Sequence, residues 1–502
     1  MGSERLTSRL ITIFSKDRFK DDPQSLFKYG ASLSGSTVIP MAVVFPVNTG
    51  EVSDVLKLAN EEKLSIYPVA RGKNFGYGEA QGTSEGQLIV DFSRMDEILE
   101  VNEHLGYATL QPGVSQEKLY THLQNNKSRL QLDVTGAGLD ASIVGNVLER
   151  GFGHTDYGDR FSRVVRLTAV TPEGDIIRTG FGSMPESSPV NTYRYGIGPV
   201  LDGLFSQSNF AIVTEMTIEL MPKPERSCMF VISAKRESAI GELIEAVREL
   251  KLAGVVNSAV HFANKARAIG SGENRLAGFW NISGSISGPK ELVGSRKRAV
   301  RKMIGKRVDG CSIWFFDDFR MNLVSFIHRK IIPITLYAPL KDAWDLQKGI
   351  PTDHPLRILL NDDSLHSATI DPGEYSTCFS WINAVCAAER SSVEGILAIC
   401  KEEFSRDGYE FRVTFTAVNP RSLIMITNIN FERKEEEIEK ASAFTKRVYG
   451  RLIDAGFPPY RSGSGSYHKM PATAPETAKL LSRLKTALDP NGVLAPGKYS
   501  IS

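Results

Sequence analysis

Residues 67–78 read Tyr67-Pro-Val-Ala-Arg-Gly-Lys-Asn-Phe-Gly-Tyr-Gly78, and the fold turns on how this stretch is read. It starts on an apolar, strand-like segment, Ile66 to Val69, and then meets Gly72, Gly76 and Gly78, which break regular structure. Glycines so spaced leave consecutive backbone N–H groups able to wrap an anion at short range, so Arg71 to Gly78 is a candidate phosphate loop. On residues alone the cluster is as readily a turn. It is not Gly-x-Gly-x-x-Gly, and no such pattern follows a strand elsewhere with an acidic residue at the expected distance, so a nicotinamide Rossmann site has no support.

Upstream of the loop, Val52, Val55, Leu56 and Ala59 recur at helical spacing; downstream, Leu88 to Asp91 returns as a strand, a βαβ-like order. Tyr107 to Gln111 reads as a strand, Pro112-Gly113 as a turn, and Ser115 as the cap of a helix carrying Leu119 and Leu123. A second glycine-rich passage, Gly136-Ala-Gly-Leu-Asp-Ala-Ser142, precedes a short helix, Ile143 to Glu149, capped by Ser142. Two anion-friendly sites in one domain suit a pyrophosphate-linked dinucleotide, which makes a flavin the candidate. Val164 to Val170 and Asp175 to Thr179 form an antiparallel hairpin.

After Met221-Pro-Lys-Pro224, long amphipathic segments such as Ala239 to Leu252 and Ser391 to Phe404 alternate with strands such as Ser422 to Thr427. Turn-rich sequence returns at Gly456-Phe-Pro-Pro459. The expected fold class is α+β with two domains: a discontinuous first domain over 1–222, completed by 456–502, and a second over 223–455.

The chain has 502 residues, too many for one hydrophobic core. With 60 Lys+Arg against 58 Asp+Glu, its near-neutral balance argues against nucleic acid as the main partner. Five cysteines without Cys-x-x-Cys or zinc-like spacing read as thiols of a reducing compartment, and no metal site is expected. The most apolar stretch, Val38 to Val47, is interrupted by two prolines and falls short of a membrane span, so the expectation is a cytoplasmic protein without membrane attachment.

The 67–78 loop resembles the pyrophosphate loop of the vanillyl-alcohol oxidase / 4-cresol dehydrogenase flavoproteins. Further matches follow in family order: Gln111-Pro-Gly-Val114, Gly145-Asn-Val-Leu-Glu-Arg-Gly151, Tyr157-Gly-Asp159, residues 198–209 with Ile212-Val-Thr214, Tyr460-Arg461, and residues 489–498. The resemblance is close over 38–222 and 456–502 and looser between. It implies an FAD-binding domain of the p-cresol methylhydroxylase (PCMH) type, interrupted by an α+β substrate cap. It further implies FAD contacts at Arg71, Gly72, Lys73, Asn74, Phe75 and Gly76, at Ser142, Gly145, Asn146 and Gly151, at Ile212 and Thr214, and at Lys498.

For the reaction, the resemblance places Tyr77, Tyr460 and Arg461 around a phenol oxygen. A guanidinium and two hydroxyls donating to one oxygen favour the phenolate, from which a benzylic hydride leaves to flavin N5 and gives a p-quinone methide. On residues alone, Tyr77 reads as a packing tyrosine and Arg461 as a surface or ion-pair residue. His154 stands where the family often shows a tyrosine near the active site and is a candidate for proton exchange; His468 is a candidate pocket residue. His261, His328 and His354 have no ligand spacing.

Two departures stand out. Where the family places an acid near the flavin, the chain reads Gly136-Ala137, with Asp140 as a substitute only if the loop re-registers. Where the family tethers its flavin, Ser376 replaces a histidine, so a dissociable FAD is favoured, with Tyr375 or His366 as the tether if one forms. The reading is therefore an FAD-dependent oxidase or dehydrogenase acting on a small para-substituted phenol, with O2 or an electron-carrier protein as acceptor and a homo-oligomeric assembly. The alternatives are alcohol or amine oxidation on a larger secondary metabolite, and an inactive flavin-binding scaffold.

Overall fold

The computed structural model describes residues 2–184, 186–269, 277–334, 337–463 and 474–501. Three larger sheets, beside a two-stranded one that pairs Met221–Pro222 with Leu130–Gln131, organise the described residues. In the first, Ala42–Val44 and Ile66–Val69 both pair in parallel with the central Leu88–Asp91, and Phe19–Lys20 adds an antiparallel edge. The helix Thr49–Glu62 makes the crossover; Asn48 caps it by accepting from Glu51 N, and Val52, Val55, Leu56 and Ala59 are buried against the sheet. The 67–78 loop hangs from the end of Ile66–Val69.

The second sheet is antiparallel, in the order Ile98–Asn102, Tyr107–Leu110, Ile212–Glu219, Val164–Val170, Ile176–Arg178. The hairpin forms as the turn Thr171-Pro-Glu-Gly174 requires, pairing Val170 with Ile176. Helices Gln116–Asn125 and Ile143–Leu148 are capped by Ser115 and Ser142. Residues from the chain's end enter these cores: Val493 and Leu494 pack with the first sheet, and Ile501 with the second.

The third sheet has seven antiparallel strands in the order Cys311–Phe316, Arg226–Ala234, Trp280–Gly288, Val260–Asn264, Val413–Ala417, Ser422–Glu432, Thr377–Ala387. Successive side chains in a strand face opposite ways, and this alternation gives the sheet two unlike faces. Val260, Phe262, Val413, Phe415, Met425 and Ile382 join a core with helices Ile240–Leu252, Lys290–Arg307, Arg390–Asp407 and Glu435–Asp454. Their neighbours His261, Thr414, Thr416, Asn428 and Trp381 point the other way, onto a cavity. Two expected elements run longer than their sequence patterns indicate: the strand expected to end at Thr427 continues to Glu432, and the helix from Ser391 spans Arg390–Asp407. Among the described residues no helix is long and apolar enough to cross a membrane.

Candidate active site

A cavity of about 570 Å3 runs from the glycine loops to the open face of the seven-stranded sheet. At one end the loop presents Arg71, Gly72, Lys73, Asn74 and Phe75. Gly72 has φ +65°, which an L side chain rarely adopts. The amides of Gly72, Lys73, Asn74 and Phe75 find no acceptor among the described residues, so four backbone donors remain beside the cavity. Buried N–H groups of native proteins are nearly always paired, and this row fits an anionic ligand such as the pyrophosphate of FAD. Arg71 is a strut: its Nε donates to Asp140 O at 3.1 Å, its Nη1 to Gly113 O at 3.0 Å, and it is ion-paired with the Asp140 carboxylate.

The second loop fits an anion less well than its sequence suggests. Ser142 Oγ donates to Pro112 O and accepts from Gly145 N, while Ile143 N donates to Val114 O, so the short helix has little left to offer. Ser142, Gly145, Asn146, Gly151 and Ile212 do line the cavity, and so does Lys498, ion-paired with Glu149 at 2.9 Å. Thr214 does not reach the wall; its hydroxyl donates to Thr168 O. Gly76 is also off the wall: a Cβ there would lie 2.3 Å from Phe379 Cε2, so the glycine admits the strand Thr377–Ala387, not a ligand.

Tyr77, Tyr460 and Arg461 meet on one side. The Arg461 guanidinium lies 4.0 Å above the Tyr77 ring and 5.3 Å from that of Tyr460. Asn383, on the strand Thr377–Ala387, holds the group: its Nδ2 reaches Tyr77 OH at 3.3 Å and Tyr449 OH at 3.0 Å, and its Oδ1 accepts from Tyr460 N. Arg461 Nε is buried without a hydrogen-bond partner among the described residues. Burial acts to lower the arginine's pKa, but Tyr460 and Tyr77 outweigh it and the net shift is upward; burial raises that of Tyr460 well above the ordinary range.

His154 also lines the cavity, its ring 4.5 Å from that of His261, whose Nδ1 sits 3.0 Å from Thr416 Oγ1. His261 was not expected here; lacking any motif, it becomes visible only when the strand Val260–Asn264 is placed over the cavity. Burial pushes His154 well below its usual value and His261 down to about 4, and the nearby charges of Arg160 and Lys251 act in the same direction. Both folded-state values lie below that of the unfolded chain, near 6.5, so unfolding takes up protons between them. Stability contributed by this pair is whole above about pH 6.5 and is lost as pH falls towards 4. Urea unfolding at pH 8 and pH 5 is expected to show a smaller acid loss for His154→Phe than for wild type; an equal loss would mean the pair is not the titrating unit.

The wall's other sequence candidates are displaced or sealed. Asp140 faces Arg71 and Lys73 and not the cavity, so it does not replace the acid absent at Gly136-Ala137. Glu79, which no motif singles out, lines the cavity with its pKa raised to about 7 by burial, but its oxygens accept from Gly76 N and Leu33 N. Neither Tyr375 nor His366 lines the cavity; Tyr375 OH donates to Asp362 at 3.3 Å. His468 lies outside the described residues. At the end bounded by the seven-stranded sheet stand Arg267, Arg412, Thr414, Asn428 and Asn430.

An FAD binding domain model matches residues 40–180. The chain is 28% identical to 1'-carboxy-chondrochloren decarboxylase of Chondromyces crocatus, over 91% of this chain and 90% of that one. It is 27% identical to the 4-cresol dehydrogenase [hydroxylating] flavoprotein subunit of Pseudomonas putida, over 92% and 88%. The solved structure of p-cresol methylhydroxylase with substrate bound superposes with a TM-score of 0.88 at 25% identity, covering 100% of this chain and 97% of that one. Two relatives matched over about nine tenths of their length, a matching fold and a glycine loop with open amides agree: the chain is an FAD-dependent oxidoreductase similar to the vanillyl-alcohol oxidase / 4-cresol dehydrogenase flavoproteins.

Proposed function

We propose that the protein removes a hydride from the benzylic carbon of a para-substituted phenol, through a p-quinone methide. The observation that carries this reading is the meeting of Tyr77, Tyr460 and Arg461 on the cavity wall, with Arg461 Nε buried and unpartnered among the described residues. A phenol oxygen placed there receives a charged donor and two hydroxyls, and its anionic form is favoured. FAD, when bound, supplies the two-electron acceptor, with O2 or an electron-carrier protein accepting in turn. Residues 1–222 with 456–502 hold the cofactor, and 223–455 form the cap; the packing of Val493, Leu494 and Ile501 into the first two sheets supports this division. His154, kept neutral by burial and packed on the His261 ring, can exchange a proton near the substrate.

A second fate of the quinone methide is favoured by the Chondromyces crocatus decarboxylase and by the lack of a carboxylate at Gly136-Ala137 to activate water. If the substrate carries a carboxylate on the carbon next to the benzylic one, the ring regains aromaticity by breaking that C–C bond. The bonding pair becomes a new C=C bond, carbon dioxide leaves, and a para-vinyl phenolate remains. Product analysis separates the two fates: a benzylic alcohol for water addition, a vinylphenol with carbon dioxide for decarboxylation.

The flavin is held without a covalent bond, in keeping with the distance of Tyr375 and His366 from the cavity wall. The purified protein is expected to be yellow and to release its FAD into the supernatant on acid precipitation. Flavin in the pellet would overturn the noncovalent part, and a protein that stays colourless when saturated with FAD would sink the whole reading.

A further inference from the structure

We infer that the cap end of the cavity is a carboxylate-binding subsite built on Arg267, and that the substrate carries a carboxylate on its para side chain. The inference rests on the phenol reading for the other end of the substrate. Arg267 follows the strand Val260–Asn264 by one helical turn, and its guanidinium lines the cavity. Its Nη1 donates to Asn428 Oδ1 at 2.9 Å; Asn428 donates to Asn430 at 2.6 Å, and Asn430 to Leu359 O at 2.9 Å. This row fixes the arginine's orientation, since each amide is itself held. Among the described residues no carboxylate comes within ion-pair distance of Arg267, whereas the neighbouring Arg412 is already paired with Glu410.

A partly buried guanidinium with no counter-ion among the described residues carries a desolvation cost, which a ligand anion completing it would offset. Burial and the neighbouring Arg412 together lower the pKa of Arg267 to about 10, and nothing opposes them. The carboxylates that do line the cavity are engaged elsewhere: Glu79 with backbone amides, Glu149 with Lys498 and Tyr499, and Asp342 with His354. An anion arriving with the substrate is thus the missing partner, and a planar fork such as guanidinium suits a carboxylate.

The path between the two ends is aromatic. Arg461 lies over Tyr77; Tyr77 stacks on Trp381 at 6.3 Å and 18°, and the Arg267 guanidinium lies 5.9 Å from the Trp381 ring. A phenol whose oxygen faces Arg461 and whose side chain follows Trp381 brings a terminal carboxylate to Arg267.

The test is isothermal titration of dithionite-reduced holoenzyme, which cannot turn over, with 4-hydroxyphenylpropionate and with its amide. Wild type is expected to bind the acid about tenfold or more tightly than the amide, as a charged hydrogen bond would give. Arg267→Gln should bring the two within about twofold, and Arg267→Lys should keep part of the preference. Acid and amide binding alike in wild type, or an acid preference that survives Arg267→Gln, would overturn the subsite. The same pair without the ring hydroxyl, 3-phenylpropionate and its amide, separates this from the phenol reading. An acid preference there, with no gain from the hydroxyl, supports the subsite and sinks the phenol site; a gain from the hydroxyl with no acid preference does the reverse.

Discussion

Arg461→Ala is expected to slow substrate-driven flavin reduction roughly ten- to a hundredfold at saturating substrate, since a charged hydrogen bond lost from a buried partner costs about 1.5–3 kcal/mol. The effect belongs to the chemical step. On the proposed phenol reading, phenolate formation precedes hydride loss and the charge on the oxygen persists into the transition state, so the guanidinium would stabilise what that reaction must pass through. Tyr77→Phe and Tyr460→Phe should cost less, because each removes one neutral donor and leaves the ring that packs against Arg461. Raising the pH should partly rescue Arg461→Ala, as bulk hydroxide supplies the phenolate the site no longer favours. Stopped-flow reduction at the wild-type rate with an unchanged pH profile would move the alcohol or amine reading into first place.

The first two sheets were legible because local signals there agree. Ser115 and Ser142 are caps in sequence and in structure, Thr171-Pro-Glu-Gly174 closes its hairpin, and the 67–78 loop leaves the amides of Gly72 to Phe75 open. The seven-stranded sheet was less legible, for a physical reason. Alternating residues such as Arg412, Thr414 and Thr416 between Val413, Phe415 and Ala417 mark a strand with one polar face, but the pattern is the same whether that face meets water or a cavity. His261 was invisible for that reason, and Arg267, on the short helix Lys265–Ile269 that follows its strand, carries no motif at all. Side-chain direction also decided cases that motif position did not: Thr214 sits on a matched strand but faces Thr168, Asp140 sits in a matched loop but turns to Arg71, and Gly76 is needed for Phe379 and Trp381.

Lys485→Met is expected to destabilise the protein by about 3–5 kcal/mol, the cost of breaking a buried ion pair by removing one partner. Lys485 lies on the helix Pro475–Leu488, 3% exposed; its Nζ donates to Asp489 Oδ2 at 2.6 Å, Asn209 O at 2.9 Å and Leu494 O at 2.9 Å. The residue thus joins the C-terminal helix to the loop before Ile212–Glu219 and to the segment that carries Leu494 into the first sheet. Methionine fills a similar volume, so packing is largely kept while two carbonyls lose their donor and Asp489 loses its counter-charge. The loss should spread to the cavity wall, because Lys498 and Tyr499, a few residues on, hold Glu149 there. Thermal release of FAD, followed by flavin fluorescence, is therefore expected at a markedly lower temperature in Lys485→Met, and in step with loss of secondary structure by circular dichroism. Flavin release at the wild-type temperature would show that the C-terminal segment can loosen without opening the site.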